Sequence, residues 1–289
     1  MDDFLALLGD EINDAAEETA LLFMNIPALQ DLGMVDPKAE CVELTIAGRD
    51  LIIKQSPGAL QSRRDSGTTG AVVWQTSVRF AEWLATPDNI LFKSNLLGQL
   101  GIVLELGSGI SALVPLMLAP RVPTIVATDQ AYVLKLLGEN YNANGTIKPP
   151  RGSKARHIHT PLPDIRSLDW EHDDPASLLR SRGSYGGVDA IMACDCIYNY
   201  ALIEPFVQTC VDVCKVRRAH LHDHASAACR FDCKPTVCIV ANHLRQPDVF
   251  EQWLEAFMRS FRVWRVPDDS LTARLREGSG FAVHVGVMR

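Results

Sequence analysis

Hydrophobic and polar positions alternate along this chain with two periods, and each period predicts its own kind of element. "CVELTIAG" and "RDLIIKQ" alternate apolar and polar residues on either side of Ala47-Gly48, which predicts a β-hairpin. Residues 3 to 23 instead place Phe4, Leu8, Ile12, Ala15, Ala16 and Phe23 at helical spacing with acids between them. One amphipathic helix is expected there, broken by Pro27 and "DLGMVDPKAE". "SPGALQSRRDSGTTG" reads as a loop. "AVVWQTSVRFAEWLATP" reads as a short extended lead into a helix, with Trp74 at its start and Phe80, Trp83 and Leu84 on its inner face.

From residue 101 strands and helices take turns, the mark of a parallel sheet. Strands are predicted at 102–106, 124–128, 155–159, 188–193, 236–241, 262–266 and 281–287, with helices near 111–119, 130–143, 200–216 and 247–259. Seven strands and their crossovers make one doubly wound α/β domain. The stretches 145–154 and 217–234 read as surface insertions.

Composition narrows the setting. The chain has 289 residues, 47% of them hydrophobic, enough for a full core. It has no apolar run of about 18 residues, so no membrane span is expected. Its start, "MDDFLALLGDEINDAAEE", lacks the basic region of a secretory signal, so the cytoplasm is expected. Eight scattered cysteines suit reduced thiols better than a disulfide framework. Cys210, Cys214, His220, His222, His224, Cys229 and Cys233 do cluster, but at C-x3-C spacing, so no metal site is assigned.

The net charge of −7 is unevenly spread. Residues 1–50 hold twelve acids against Lys38 and Arg49, whereas the remaining 239 hold 26 bases against 23 acids. An acidic arm on a near-neutral body argues against a nucleic-acid backbone as the main partner and suits a basic protein. Lys148, Arg151, Lys154 and Arg156, and Lys215, Arg217 and Arg218, form basic runs without interleaved aromatics, so a solvated face is expected of them.

The candidate chemistry lies where strands end. "VLELGSGISALVP" is a strand, a glycine-rich turn and a helix start; Gly107 and Gly109 allow close approach, and the helix start offers N–H groups to an anion. With Asp129 lying 22 residues past Gly107, the turn satisfies a loose dinucleotide fingerprint. A nicotinamide cofactor and S-adenosylmethionine both fit that much. Glu105, two residues before Gly107, could meet the ammonium of an amino-acid cofactor. Asp129 suits ribose hydroxyls, and "LDW" places Asp169 for an adenine amino group and Trp170 for its ring face. "MACDCIYNY" ends an apolar strand in Asp195 and Tyr198. As a plain structural feature Asp195 would cap the following helix.

Taken together, "VLELGSGIS", "IVATDQ", "LDW" and "DAIMACDCIYN" resemble the successive cofactor motifs of the seven-β-strand (class I) protein-lysine methyltransferases. "SGTTGAVVWQTSVRFAEWL" and "VANHLRQPDVFEQWLEAF" are most similar to the fungal ribosomal lysine N-methyltransferase 5 group. The resemblance implies a Rossmann-like seven-stranded sheet, mostly parallel with an antiparallel last strand. It implies a methyltransferase domain over 41–289, with hairpin and lead-in helix at 41–100 and core at 101–289, preceded by an acidic helical extension over 1–40.

Its site residues follow by the same resemblance. S-adenosylmethionine would be held by Trp74, Glu105, Gly107, Ser108, Gly109, Asp129, Asp169, Trp170 and Ala193. The D-x-x-Y motif beside the transferred methyl reads Asp195-Cys196-Ile197-Tyr198. Asp195 would recruit and orient an incoming lysine ammonium, and Tyr198 would direct the lone pair of the neutral amine. Ser111 replaces a usual third glycine, and the cysteines flanking Asp195 depart from the commoner small or aliphatic residues.

A monomer acting on a basic ribosomal protein is the leading expectation. The alternatives are an elongation factor or chaperone as substrate, or a non-catalytic S-adenosylmethionine-binding module. An oxidoreductase gives no role to Glu105 or the Asp-x-x-Tyr pair. A nucleophilic Cys194 or Cys196 served by His243 is a weaker alternative, because cysteines inside apolar strands are mostly inert.

Overall fold

The computed structural model of the chain describes residues 1–26, 32–62, 68–147, 158–180, 186–223 and 234–289. The chain opens with helices α1 (Asp2–Ala6) and α2 (Ala15–Met24), the hairpin strands β1 (Cys41–Ile46) and β2 (Arg49–Lys54), and helices α3 (Pro57–Leu60), α4 (Gln75–Leu84) and α5 (Ile90–Lys93). There follow β3 (Ile102–Leu106), α6 (Leu113–Leu118), β4 (Thr124–Asp129), α7 (Ala131–Asn144), the two-residue strands β5 (Thr146–Ile147) and β6 (Ile158–His159), β7 (Asp164–Ser167) and α8 (Pro175–Arg180). The last part holds β8 (Ala190–Cys194), α9 (Tyr200–Asp223), β9 (Val237–His243), α10 (Pro247–Ser260), β10 (Phe261–Arg265) and β11 (Phe281–Met288).

Seven of these strands form one sheet in the order β10-β11-β9-β8-β3-β4-β7. β7, β4, β3, β8 and β9 run parallel, and β11 runs antiparallel to both β9 and β10. The chain winds outward from β3 through β4 to β7, then returns to the other side of β3 for β8. That reversal leaves a crevice at the carboxyl ends of β3 and β8, the place where doubly wound sheets bind ligands.

Period-two alternation explains why the central strands read as unbroken apolar runs. Val103, Met192, Cys194, Ile239 and Ala241 face one core with α4, α6 and α7, while Leu104, Ile191, Ala193, Cys238 and Val240 face a second with α9 and α10. Both faces are covered, so no residue of β8 or β9 is exposed. Each large side chain buried completely, such as Trp83 on one face and Trp253 on the other, contributes on the order of 2–3 kcal/mol.

The predicted hairpin is present: Ala47 and Gly48 have φ of 50° and 74°, as a two-residue type I′ turn requires. Its outer edge is satisfied by α7. Asn144 Oδ1 accepts from Ile52 N at 3.0 Å, and Asn140 Oδ1 accepts from Lys54 N at 2.9 Å. Asn140 Nδ2 also donates to Ile110 O at 2.7 Å, which ties the hairpin to the glycine-rich turn.

Three expectations need correction. The single helix over 3–23 is two helices, because Gly9 adopts a φ of 80° and Ile12 N donates to Val263 O at 2.8 Å as an added β-bridge. Asp14 then caps α2, accepting from Ala16 N and Glu17 N. The third sheet strand is not at 155–159. Ile158 and His159 pair with Thr146 and Ile147 outside the main sheet, and Asp164–Ser167 takes the edge position instead. An edge strand with one apolar residue, Ile165, carries almost no periodic signal. Finally, residues 217–223 are no insertion but the last turns of α9; residues 224–233 and 148–157 lie outside the described residues.

Residues 1–26 pack onto the β10 edge of the sheet. Phe4 and Leu8 are buried in one core, and Ala15 and Leu22 in the other. Part of the acidic charge is matched there: Glu11 pairs with Arg262 at 2.8 Å and Arg289 at 3.5 Å, and buried Glu18 pairs with His284 at 3.1 Å and Arg265 at 3.5 Å. Burial works to raise the Glu18 carboxyl, but the hydrogen bond and charge of His284 and the charge of Arg265 outweigh it and hold it below the ordinary glutamate range. A depressed carboxyl stabilises the fold above its unfolded pKa and loses that contribution as pH falls through the folded value. Replacing Glu18 by Gln should therefore cost about 1–3 kcal/mol at neutral pH in urea unfolding, with the difference from wild type shrinking on acidification below the unfolded carboxyl pKa.

Candidate active site

The crevice is a cavity of about 1010 Å³, built from the ends of five neighbouring strands. β3 contributes the Gly107–Gly109 turn, β4 Asp129, β7 Asp169 and Trp170, β8 Asp195 and Tyr198, and β9 Arg245; Trp74 enters ahead of α4. The structure thus gathers Trp74, Gly107, Ser108, Gly109, Asp129, Asp169, Trp170, Asp195 and Tyr198 around one space. Glu105 lies buried behind the turn, and Ala193 packs its side chain into the core instead of the cavity wall.

Gly107 is required by space as well as by conformation. Its φ is 67°, and a Cβ there would stand 2.7 Å from Cys196 Sγ and 3.4 Å from the Trp170 ring. Trp170 is held edge-on to Phe206 at 5.3 Å, so its ring is fixed beside the turn. The expectation that the turn feeds a helix start with open N–H groups is not met at three positions. Ser108 N donates to Thr128 O, Gly109 N to Asp129 Oδ2 and Ile110 N to Gly70 O. The helix itself begins only at Leu113, after Ala112 has taken a φ of 57°.

The carboxylates sit in different electrostatic surroundings. Glu105 Oε2 is buried without a hydrogen-bond partner among the described residues. Burial pushes its carboxyl up to about 8, against the pull of the Ser108 hydroxyl and with the push of the Asp129 charge. Burial likewise raises Asp129 to about 6, offset in part by the N–H groups of Gly109 at 2.7 Å and Gln130 at 2.6 Å. Asp169 is less enclosed; Glu171 N donates to it at 3.0 Å, and His172 stands at 3.3 Å. Asp169, Glu171 and exposed His172 lie close together at the cavity mouth.

Asp195 is not a helix cap. Asn199 takes that place, accepting from Ala201 N at 3.0 Å. Asp195 N still donates into the sheet, to Ala241 O at 2.8 Å, but its φ of 59° turns the chain out of the strand. Both carboxylate oxygens are engaged by the guanidinium of Arg245, one through Nη1 at 3.0 Å and the other through Nη2. Tyr198, further along the loop, lies 3.1 Å from the Thr69 hydroxyl. Thr69 O in turn accepts from Trp74 Nε1 at 2.9 Å, and Gly70 N donates to Tyr132 Oη. The segment 68–74 is therefore a strap that fixes Tyr198 and Trp74 together over the glycine turn.

Arg245 and Thr69 are the residues that sequence reading missed. "NHLRQP" after the fifth strand held a signal, since residues just past the carboxyl end of a parallel strand face the ligand crevice. Cys194 and Cys196 lack the surroundings that activate a thiol. Burial pushes the Cys194 and Cys196 thiols well up, and His243 stacks on Phe281 with ring centroids 4.4 Å apart. Cys210 and Cys214 are buried on α9, Cys214 Sγ lying 4.0 Å from Cys238 Sγ. His224, Cys229 and Cys233 lie outside the described residues, as do Lys148, Arg151, Lys154 and Arg156. Lys215 pairs with Asp212, and Arg217 with Asp189 at 2.8 Å.

Comparison with known proteins bears on this site directly. A family model described as lysine methyltransferase matches residues 54–224. Ribosomal lysine N-methyltransferase 5 of Zygosaccharomyces rouxii is 33% identical over 235 residues, covering 70% of this chain and 69% of the relative. A Schizosaccharomyces pombe protein named diaminohydroxyphosphoribosylamino-pyrimidine deaminase is 30% identical over 258 residues; the match takes in 87% of this chain, which spans about half (53%) of that relative's length. Zinc deaminases carry His-x-Glu and Pro-Cys-x-x-Cys, and neither occurs in these 289 residues, so that name has no counterpart in this chain's own side chains. Among solved structures, the T. thermophilus 16S rRNA N2 G1207 methyltransferase in complex with AdoMet and guanosine gives a TM-score of 0.47 at 15% identity, covering 86% of this chain and 50% of that one. With a family model matched over more than half its length, the chain belongs to the lysine methyltransferase family, whose methyl donor is S-adenosylmethionine.

Proposed function

We propose that this protein transfers a methyl group from S-adenosylmethionine to a lysine ε-amine of a basic ribosomal protein, acting as a monomer in the cytoplasm. The observation that carries the reading is the convergence of Asp129, Asp169-Trp170 and Asp195-Tyr198 with the Gly107 turn on one cavity. The substrate class is supported by the Zygosaccharomyces rouxii relative, which is named for ribosomal lysine methylation, and by the acids Asp169 and Glu171 and the exposed Tyr198 that line the cavity. No described helix is long and apolar enough to cross a membrane.

The residues present fit the cofactor. The buried, unpartnered Oε2 of Glu105 calls for a cation, and an amino-acid ammonium is one. The Trp170 ring, packed against the Gly107 turn and lining the cavity, would offer a surface to a flat group. Asp129 would accept from ribose hydroxyls, since each of its oxygens retains a second lone pair, and Asp169 would accept from an adenine amino group. Ser108, Gly109 and Trp74 complete the surroundings. When bound, S-adenosylmethionine supplies an electrophilic methyl group on a sulfonium.

The remaining work falls to the chain's own residues. Lysine has a pKa of about 10.4, so the incoming ammonium must release a proton to solvent before it can attack. Enclosure in the cavity disfavours the charged amine. Asp195 accepts one N–H of the acceptor, Tyr198 offers a second hydrogen-bonding atom, and together they fix the direction of the lone pair. Burial raises the Tyr198 phenol, so it keeps its proton. Positioning of this kind supplies much of the rate of a displacement, and a misplacement of about 1 Å costs on the order of 10²-fold.

The test is transfer of labelled methyl from S-adenosylmethionine to a fractionated fungal extract. A discrete protease-sensitive, nuclease-resistant band in the ribosomal fraction is expected, reduced about 10²-fold or more by Asp195→Ala with cofactor binding kept. Absence of label in every fraction, despite cofactor binding, would reject the transfer reading in favour of a binding module. A second expectation concerns Glu105. Its carboxyl is largely protonated at neutral pH and must release that proton to hold an ammonium, so cofactor affinity should rise by up to about tenfold per pH unit between roughly pH 6.5 and 7.5. Calorimetric titration of Glu105→Gln should show a weaker affinity that no longer changes over that range.

A further inference from the structure

We propose that Arg245 is the positioning residue of this site: its guanidinium, held between Asp195, the Leu32 carbonyl and the face of Trp74, keeps the Asp195 carboxylate charged and fixed against the cavity for the acceptor amine. The activity arm of its test rests on the methyl-transfer reading above; the structural arm does not.

The geometry is that of a clamp. Arg245 Nη1 donates both to Asp195 Oδ2 at 3.0 Å and to Leu32 O at 2.7 Å, while Nη2 donates to Asp195 Oδ1. The Arg245 carbon Cζ lies 5.4 Å from the centroid of the Trp74 ring. The pair is enclosed, with side-chain exposures of 12% for Arg245 and 4% for Asp195. A planar fork on a carboxylate fixes orientation as well as charge, which a lysine in the same place cannot do.

Charge explains why the clamp is needed. Among the described residues lining the cavity, Arg245 carries the positive charge, facing Asp129, Asp169, Glu171 and Asp195. Asp195 also lies within electrostatic reach of the Cys194 and Cys196 thiols on its own strand end and of the Tyr198 phenol. His243 of β9 gives it a backbone N–H. Burial pushes the Asp195 carboxyl up, and Arg245, by charge and by hydrogen bond, is the leading influence that holds it down. Without Arg245 the carboxyl would be pushed up further, toward a protonated form that is a donor and has fewer lone pairs for an ammonium or amine N–H. The guanidinium takes one acceptor site on each oxygen and the His243 N–H a third, so of about four such sites one is kept for the substrate. The left-handed φ of Asp195 turns the carboxyl toward this clamp at some cost in backbone strain.

The experiment uses the full chain labelled with ¹³C-carboxyl aspartate, with the Asp195 signal identified by its loss in Asp195→Asn. In Arg245→Gln the Asp195 titration should move upward by roughly one to three pH units, the range an adjacent opposite charge commands. In Arg245→Lys, which keeps the charge without the fork, it should stay near wild type while the methylation rate into the labelled ribosomal fraction falls. The acidic limb of the rate against pH should move upward in Arg245→Gln together with the carboxyl. A purely packing role predicts an Asp195 titration unchanged in Arg245→Gln, and that result would overturn the proposal. Should Arg245→Gln fail to fold, Arg245→Lys decides: a wild-type rate with the fork removed rejects the positioning role. A wild-type protein that labels nothing rejects methyl transfer, and the carboxyl titration still decides the role of Arg245.

Discussion

Everything at this site turns on holding several carboxyl groups together at the carboxyl edge of one sheet, in surroundings where charge is costly. Parallel strands end side by side about 5 Å apart, so acids placed after β3, β4 and β8 become neighbours whether or not they attract. The protein deals with each differently. Glu105 is left largely protonated, its Oε2 unpartnered. Asp129 is held by two backbone N–H groups, and Asp195 by a guanidinium. These are three solutions to one desolvation problem, and they leave the carboxyl groups of one cavity in three different electrostatic states.

The rest of the molecule braces that edge. α7 uses Asn140 and Asn144, one turn apart, to hold the hairpin, and Asn140 reaches the carbonyl of Ile110 in the glycine turn from the same side chain. The strap at 68–74 crosses from the hairpin to α4 and carries Trp74 and Thr69 over the crevice. Leu32 and Gly33 add a further layer: Gln75 N donates to Gly33 O, and Leu32 O accepts from Arg245. The front wall of the cavity is thus made by segments preceding the parallel sheet in sequence, and the back wall by the sheet itself.

The acidic amino-terminal segment has a mechanical role that its charge alone does not suggest. It covers the sheet edge, adds Ile12 as a β-bridge to β10, and inserts Glu18 beside His284. An exposed strand edge invites pairing with other chains, so a covering segment protects it. The same acids that make the segment look like a docking arm are thereby partly neutralised by Arg262, Arg265 and Arg289.

The buried strands were legible in the amino-acid order because their signal is local: β3, β8 and β9 are apolar on both faces, and the hairpin alternates about a two-residue turn. Asp129 and Asp195 were legible too, since one ends a readable strand and the other follows one, and strand ends share one edge; Asp169 and Trp170 were legible from the "LDW" motif and not from the strand before them. β7 was not, because an edge strand with one apolar residue has no period to read, and the break at Gly9 was hidden because Phe4, Leu8 and Ile12 keep helical spacing across it. Arg245 lies 50 residues from Asp195, and Leu32 lies 213 residues from Arg245; no periodicity reaches that far. Side-chain period and strand-end chemistry are properties of neighbours in the chain, whereas the charge state of Asp195, the closure of the cavity by the strap and the burial of Glu18 arise only when distant segments are packed together and water is excluded from between them.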